Sequence, residues 1–412
     1  MPARSERAPS TERDVGTARP TDRYRAFLSV PGAPRVLVSS IIARLPLGMS
    51  TLAILLLIHQ DTGSFASAGV VVGAFTVASA AAAPVQGALV DRYGGRNVLV
   101  PFAVLQAAAL VALVLLARGG ASLVVLIAIA IAAGALVPPV DACVRVLWRD
   151  VAPEPAVLEA AYQLDATSQE VIWTAGPLLV ALAAAWAPSG AVLATAAIVL
   201  GGTLVFTSAP LVRRSTGSGG SRHPGSALAS PALRMLLVVS ALLGFGVGAV
   251  EVGLPALALR TGARGVSGIL LALWSIGSMA GGFAYGLRSW RLDTSGRYPI
   301  LLALIAAGTA PLIFAHGLAV ALPLSALAGI GYAPALSCEY VLVGRLVPRA
   351  VAGEAFMWTT ASLVAGIAAG AAVAGPLVQD VGVRSSFAVG CVVSAAAALV
   401  ALASRGRMVE SA

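Results

Sequence analysis

Long apolar runs recur along the whole chain and alternate with short segments rich in Arg, Gly and Pro. A helix needs about 20 apolar residues to cross ~30 Å of hydrocarbon. The run that begins at Val36 is too long for a signal-peptide core and lacks a small-residue cleavage pattern after it, so we expect an uncleaved span. The pattern predicts twelve membrane-spanning helices, at residues 36–58, 66–90, 97–117, 121–144, 155–186, 189–210, 233–258, 265–287, 298–315, 318–343, 352–378 and 384–404.

The composition indicates the same fold class. Of the 412 residues, 58% are hydrophobic and 11% are charged, whereas soluble domains carry roughly 25% charged residues. We therefore predict an all-α membrane protein in a lipid bilayer. The sequence has no phosphate-binding loop, HExxH or GxSxG motif, and Cys143, Cys338 and Cys391 lack the spacing of metal ligands. We expect no enzyme, no cofactor and no metal site.

The basic residues, which are all Arg, are distributed unevenly between the two sides of the predicted bundle. If the N-terminus is inside, only Arg118, Arg260, Arg264 and Arg384 lie outside, and Arg145 counts among the many cytoplasmic arginines. Because cytoplasmic loops retain basic residues, we expect both termini to be cytoplasmic. Composition suggests a GC-rich bacterial genome, so the expected location is the bacterial plasma membrane. This topology explains the net charge of +9 without a nucleic-acid partner.

A Gly- and Ser-rich stretch divides the spans into two sets of six. Its composition is that of a flexible linker. The start of the chain is rich in Arg, Pro, Ser and Thr without apolar periodicity, so we expect a disordered tail with a short interfacial stretch near residues 24–28. The expected units are a cytoplasmic tail 1–34, a bundle 35–212, a cytoplasmic linker 213–232, a bundle 233–404 and a cytoplasmic tail 405–412.

The two halves resemble each other in sequence. Residues 139–160 match residues 334–355 at a constant shift of 195, through paired Pro, Cys and Glu positions such as Cys143 and Cys338. A shift of 199 aligns further Gly, Ser and Pro positions. We infer two pseudo-symmetric six-helix bundles. In such duplicated folds the solute site lies at the repeat interface near the midplane.

The loop after the second span reads GALVDRYGGRNVLV and begins at Gly87. Its glycines allow two helices to meet tightly, and its charges can change partners as the halves move. The loop resembles the signature GxLxDRxGRK of the major facilitator superfamily, which occupies the same loop. Gly87, Leu89, Asp91, Arg92 and Gly94 match this signature, Gly95 replaces the family Arg, and Arg96 occupies the family Lys position.

With the twelve spans, the linker and the repeat, this resemblance covers nearly the whole chain. It implies the superfamily fold and a secondary active transporter, in which two bundles rock about a central site and expose it to each side in turn. It also implies that Asp91 meets the N-terminal end of the eleventh helix in the outward-open state. A basic residue of the loop is expected to pair with an acid at the end of the fourth helix, for which Asp141 is available.

A second resemblance concerns the direction of transport. The fifth span reads TAGPLLVALAA, in which Gly176 and Pro177 match the exporter signature GPxxGG and the later glycines are missing. The resemblance to twelve-span exporters implies efflux of a drug or small metabolite in exchange for protons, and we expect a monomer. The alternatives are an uptake permease of the same fold and a non-transporting membrane sensor or scaffold.

Ionisable side chains inside the spans cost roughly 2.5 to 3.5 kcal/mol at a helix centre, so each needs a partner or a function. Arg44 in the first span and Asp165 in the fifth lie at the same depth. We predict that they pair, with Glu170 as the alternate partner, either in the solute pathway or only to fix helix packing. Asp165 borders a polar face of the fifth span that comprises Glu159, Tyr162, Gln163, Gln169, Glu170 and Trp173.

Glu251 is a lone acid in the outer part of the seventh span. An isolated carboxyl in apolar surroundings takes up protons readily. We predict a proton carrier, and the alternative is an acid that borders extracellular water. Trp173, Trp274 and Trp358 line either an aromatic cavity for a bulky solute or ordinary helix contacts. The predicted substrate and proton pathway comprises Arg44, Tyr162, Asp165, Gln169, Glu170, Trp173 and Glu251.

Overall fold

The structure, a computed structural model, describes residues 20–152, 154–215, 226–260, 267–288, 290 and 292–406. Parts of the predicted tails and linker, residues 1–19, 216–225 and 407–412, lie outside this description. All regular secondary structure in the described residues is helical, which confirms the predicted fold class. The α-helices are α1 Pro20–Ser29, α2 Ala33–Thr62, α3 Phe65–Tyr93, α4 Gly95–Arg118, α5 Leu123–Ala135, α6 Val140–Val151, α7 Pro155–Ala184, α8 Pro188–Thr207, α9 Pro210–Arg214, α10 Pro231–Arg260, α11 Ser267–Gly286, α12 Thr294–Thr309, α13 Leu318–Gly329, α14 Tyr332–Leu346, α15 Ala352–Asp380 and α16 Val383–Ala403.

Eleven helical segments of the described chain are long and apolar enough to cross a membrane. They correspond to all the predicted spans except the fifth. The fifth span is α7, which has 30 residues and carries Glu159, Asp165 and Glu170. At 1.5 Å per residue α7 extends for ~45 Å, which is enough to cross a bilayer with its acids turned towards protein. The fold is therefore consistent with twelve spans.

The fourth and tenth spans are each interrupted near the middle. α5 and α6 form the fourth span, and α13 and α14 form the tenth. Pro138 and Pro139 separate α5 from α6, because proline has no N–H to donate to a helix. The fourth span continues to Val151 instead of ending at residue 144, so Arg145 lies inside it. The prediction that Arg145 lies in a cytoplasmic loop was therefore wrong.

Both ends of the described chain lie at one end of the helix bundle, which we call the termini face. Arg405, just after α16, pairs with Asp293 at 2.8 Å. In α1, Arg23 donates a 2.8 Å hydrogen bond to the carbonyl oxygen of Arg288. Arg288 and Asp293 belong to the same connection between α11 and α12, so α1 and the end of α16 lie together. The opposite end of the bundle is called the distal face.

α1 is helical where we expected a disordered tail with an interfacial stretch. Phe27 is fully buried and packs edge-on against Trp148 of α6, with ring centroids 5.0 Å apart. Tyr24 lies against Gly286 at the end of α11, and burial raises the pKa of its hydroxyl. Since Trp148 belongs to the first half and Gly286 to the second, α1 bridges the two halves at the termini face.

The two halves touch on the termini side of the bundle and separate on the distal side. α3 packs along α15, and α7 packs along α11 and α14. The termini-side segment α6 contacts both α14 and α15. The distal segments α5 and α13 make no substantial contact with the opposite half in the described residues. The molecule is therefore closed at the termini face and open towards the distal face.

Candidate gate and transport site

A close approach of two backbones joins the second and eleventh spans at the termini face. A Cβ atom added to Gly87 of α3 would lie 2.5 Å from the carbonyl oxygen of Gly353, in the first turn of α15. Only glycine allows α3 and α15 to approach so closely. The loop motif thus brings the end of α3 directly against the start of α15.

Asp91 caps the N-terminal end of α15 across this close contact between α3 and α15. Its two carboxylate oxygens accept hydrogen bonds from the N–H groups of Gly353 and Glu354, both at 2.9 Å. These first-turn N–H groups have no partner within the helix, and the helix dipole favours a negative charge beside them. Asp91 is buried. This is the contact that the family resemblance implied for Asp91, and it ties the first half to the second.

The pairing that the resemblance implied for Asp141 is not the one observed. Asp141 lies in the first turn of α6 and pairs with Arg44 and Arg145. The acid near the end of the fourth span is Asp150, which pairs with Arg349 of the other half at 2.5 Å. The predicted position of Asp141 at the end of the fourth span was wrong, because this span extends beyond the apolar run and ends at Val151.

The remaining loop-motif residues shape the turn between α3 and α4. Gly94 has a φ of 82°, a conformation that favours glycine, and α4 begins at the next residue. Arg92 is exposed, and its guanidinium carbon lies 4.9 Å from the centroid of the Tyr93 ring. Arg96 is also exposed, at the start of α4. The turn therefore presents both arginines to the surface.

Arg44, Asp141, Arg145 and Asp165 form a buried group that we call the charge cluster. Arg44 Nη1 lies 2.8 Å from Asp165 Oδ1 and 3.1 Å from Asp141 Oδ1. Arg145 lies 3.1 Å from Asp165 Oδ2 and 3.3 Å from Asp141 Oδ1. None of the four is more than 7% exposed. The predicted contact between Arg44 and Asp165 is present, and two positive charges balance two negative ones.

Arg44 makes its other hydrogen bonds within the first half. Its Nε donates to the carbonyl oxygen of Ser40 at 3.2 Å, and its Nη2 donates to the hydroxyls of Ser40 and Ser168 at 3.1 Å. Gln169 reaches Asp141 at 3.5 Å, so it adjoins the charge cluster. Glu170, which we predicted as the alternate partner of Arg44, instead bonds to the second half.

Arg145 links the charge cluster to the second half. Its Nη2 donates to the hydroxyl of Tyr340 at 2.8 Å and its Nη1 to that of Thr360 at 3.2 Å. The guanidinium carbon lies 3.9 Å from the centroid of the Tyr340 ring. Tyr340 is the residue that the repeat shift of 195 aligns with Arg145. Because two pseudo-symmetric positions touch only near the axis that relates them, this contact lies close to that axis.

Tyr162 lies in the closed contact between the halves. Its ring centroid is 6.3 Å from that of Tyr340 and 6.0 Å from that of Phe356. Its hydroxyl donates to the carbonyl oxygen of Arg145 at 3.2 Å, and the side chain is fully buried. In this conformation Tyr162 seals the gate and does not line the open side.

Ion pairs also cross between the halves nearer the termini face. Glu159 of α7 lies 2.8 Å from Arg297 of α12 and 3.8 Å from Arg345 of α14. Within the second half, Asp293, which precedes α12, accepts hydrogen bonds from Ser295 and from Arg405. These two donors lower the pKa of Asp293. The termini face is therefore closed by polar contacts.

Glu170 reaches the second half about 16 Å further along α7 than Glu159. Its Oε1 accepts a 2.7 Å hydrogen bond from Ser278 of α11. The Ser278 hydroxyl in turn accepts from the N–H of Ala333 at 3.1 Å. Glu170 and Ser278 are both buried. The polar face of α7 is thus connected to the break in the tenth span.

Two predicted pathway residues, Trp173 and Glu251, have exposed side chains. Trp173, one turn beyond Glu170 on α7, is 54% exposed. Glu251 of α10 is exposed and lies near Glu170 and Tyr332, so it faces the interior between the halves. Within the described chain Glu251 has no ion-pair partner. Trp274 instead packs against Tyr332, with ring centroids 5.0 Å apart.

The sequence did not lead us to predict several residues at this site, among them Arg145, Asp150, Ser278 and Tyr340. Two signals for Arg145 were available in the sequence. The repeat aligns it with Tyr340, and the oppositely charged Asp141 lies four residues before it. Such spacing places both side chains on one helix face. For Ser278 the only signal was its alignment with Ser79 at the repeat shift of 199, which gives no indication of a partner on α7.

Comparisons with known proteins agree on the fold. The sequence matches the model of the Major Facilitator Superfamily over residues 36–362. No curated protein matches it significantly. The structure resembles a bacterial homologue of the iron transporter ferroportin in an outward-facing state, with a TM-score of 0.71, 17% identity, and 90% of this chain and 98% of that chain covered.

Two further solved structures are similar. The human organic anion transporter MFSD10 (TETRAN) has a TM-score of 0.71 and 16% identity, with 92% of this chain and 99% of that chain covered. The fucose:proton symporter FucP of E. coli has a TM-score of 0.67 and 15% identity, with 91% and 98% covered. At these identities the likeness shows a shared fold alone. From the family match and this fold, the chain belongs to the major facilitator superfamily, whose members are membrane transporters and not enzymes.

Proposed function

We propose that the protein exports a drug or small metabolite across the bacterial plasma membrane in exchange for protons, with its termini face towards the cytoplasm. The arginine distribution supports this orientation, because cytoplasmic loops retain basic residues. In this orientation the described conformation is open to the outside and closed to the cytoplasm. It is one end state of an alternating-access cycle.

The observation that carries the proposal is the placement of two carboxyl groups between the halves. Glu251 is exposed on the open side, where it exchanges protons with outside water. Glu170 bonds to Ser278 across the closed contact and loses that bond when the halves part. Protonation of these acids is thereby coupled to which side of the membrane is open.

The contacts that close the termini face suit a reversible gate. The Asp91 cap on α15, the Asp150–Arg349 pair and the Arg145–Tyr340 contact all join polar groups. Water can replace each of them when the gate opens. Asp165 remains bound to Arg145 within the first half, so the charge cluster positions Arg145 for the next closure.

Transport direction is measured in everted membrane vesicles that hold the protein. A thermal-shift screen of purified protein first selects compounds, with ethidium included as a fluorescent probe. With an acidic vesicle interior, we expect the selected compound to accumulate inside as protons leave. Accumulation that requires the opposite gradient would indicate an uptake permease, and no flux for any selected compound would contradict transport.

Proton coupling is tested with Glu251→Gln in the same vesicles. We expect it to abolish uphill accumulation and to leave downhill counterflow of the compound. Asp380→Asn, which removes an exposed acid at the distal end of α15, is the matched control. Full pH-driven accumulation by Glu251→Gln would overturn the assignment of Glu251.

A further inference from the structure

A groove on the outside of the first half lies at the termini face, away from the gate. It is formed by the start of α4, the end of α8 and α9, and we call it the α4–α8 groove. Its volume is about 540 Å³. Neither α4 nor α8 has a substantial contact with the second half in the described residues. The polar part of its lining consists of Arg96, Asn97, Thr207, Ser208 and Arg213.

The charge of this groove favours an anion. Arg96 and Arg213 are both exposed, and no acidic residue lines the groove. In the part of the chain that the structure describes, neither arginine has an ion-pair partner. Arg35 adds a third guanidinium nearby, since its Nη2 donates to the Ser208 hydroxyl at 3.1 Å. Guanidinium groups bind phosphate through paired N–H donors.

The other side of the groove is apolar and continues into the lipid-facing surface. Val100, Pro101 and Leu204 line it. Further towards the distal face, Val104 and Leu204 are 48% and 46% exposed. The groove therefore combines a basic end at the membrane boundary with an apolar end along the hydrocarbon. A free anion satisfies only the first of these surfaces, whereas an anionic lipid satisfies both.

We propose that the α4–α8 groove binds an anionic phospholipid, with the phosphate between Arg96 and Arg213 and an acyl chain against Leu204. Arg96 belongs to the loop motif, yet it is exposed at this groove and not bound in the gate. Lipid binding at this groove does not depend on the direction of transport or on proton coupling. Arg96 then binds lipid, while Asp91 of the same motif caps α15.

The test uses delipidated full-length protein in detergent, with phosphatidylglycerol, phosphatidylcholine or inorganic phosphate added. We expect phosphatidylglycerol to raise the melting temperature and to remain bound in native mass spectrometry, and we expect the other two to do neither. Arg96→Gln/Arg213→Gln is expected to weaken phosphatidylglycerol binding at least about fivefold. Arg118→Gln/Arg260→Gln, which removes two exposed distal-face arginines, is expected to bind like wild type.

Three outcomes would overturn the proposal. Equal stabilisation by phosphatidylcholine would show that charge is irrelevant, and equal stabilisation by inorganic phosphate would show an ion site only. Unchanged phosphatidylglycerol binding by Arg96→Gln/Arg213→Gln would place the lipid elsewhere. If that double variant does not fold, Arg213→Gln alone is measured in its place, and unchanged binding then has the same meaning.

Discussion

The four residues of the charge cluster show how a buried charge is kept at low cost. Each carboxylate oxygen of Asp165 meets a different guanidinium group, those of Arg44 and Arg145. Removing one partner leaves the others buried and uncompensated, which is far more costly than exchanging the whole pair for neutral groups. The stability of this site therefore depends on charge balance.

Asp165→Asn is expected to lower the free energy of unfolding by about 3–5 kcal/mol, because Arg44 and Arg145 then share a single carboxylate. Arg44→Gln/Asp165→Asn restores the balance and is expected to recover part of the loss. Thermal unfolding in detergent, followed by tryptophan fluorescence, measures both. Asp61→Asn, an exposed acid at the end of α2, is the control. An Asp165→Asn variant as stable as this control would contradict the account.

Asp293 gives the termini face a small dependence on pH. Hydrogen bonds from Ser295 and Arg405 lower its pKa. A carboxyl with a lowered pKa contributes stability above the unfolded value of about 3.9 and loses it as pH falls through the folded value. Wild type should therefore be more stable than Asp293→Asn at neutral pH, by less than about 1 kcal/mol, and the difference should shrink as pH falls below about 4. A difference that stays constant into that acidic range is the contrary result.

At the scale of elements, the packing of α3 against α15 closes the gate. Gly87→Ala places a Cβ 2.5 Å from the Gly353 carbonyl, and such overpacking costs about 1–3 kcal/mol. We expect it to favour the state open at the termini face and to raise the labelling rate of Cys143 at least about fivefold. Cys143 is buried and lines a small cavity with Asp91 and Asp150.

The labelling uses a membrane-impermeant maleimide, applied from the termini face after Cys338 and Cys391 are replaced by Ala. Gly73→Ala is the matched control, because this α3 residue has no neighbour within 4 Å of an added Cβ. It is expected to label at the wild-type rate. Equal rates in Gly87→Ala and Gly73→Ala would show that α3–α15 contact does not hold the gate.

The helices differ in how well the sequence predicted them, depending on whether local composition or distant contacts determine their bounds. Apolar runs predicted the spans, because crossing a bilayer requires a minimum length of apolar helix. The fourth span was cut short because α6 carries Asp141 and Arg145, whose partners come from other helices. α1 was missed for a similar reason, since the contact of Phe27 with Trp148 spans a long sequence separation.

The contacts of the candidate site also fall into two groups, those that the sequence predicted and those that depend on how the two bundles dock. The Asp91 cap followed from a loop motif whose partner helix the resemblance supplied. The predicted contact of Arg44 with Asp165 followed from equal depth in two spans. The contact of Arg145 with Tyr340 depends on how two whole bundles dock, and a single span contains no information on that docking. The contact of Tyr162 with Tyr340 depends on the same docking, and the role of Tyr162 in the pathway stays a prediction.

At the scale of the whole molecule, the two halves meet at the termini face and separate at the distal face. We propose that they rock between this arrangement and its opposite, and that protonation of Glu251 shifts the equilibrium between the two conformations. Distances between spin labels at both faces test it in one experiment. Trp186 and Val381 are exposed distal-face positions on opposite halves, and Tyr93 and Leu292 are exposed positions at the termini face.

The decisive measurement is double electron–electron resonance on these two pairs, with spin labels attached to introduced cysteines in a cysteine-free background. Distances are measured at about pH 5 and about pH 8. We expect the pH change to shift the two distance distributions in opposite directions, one pair closing as the other opens. Glu251→Gln should remove most of this pH dependence. Distributions that do not change with pH, or that lengthen together at both faces, would contradict the account.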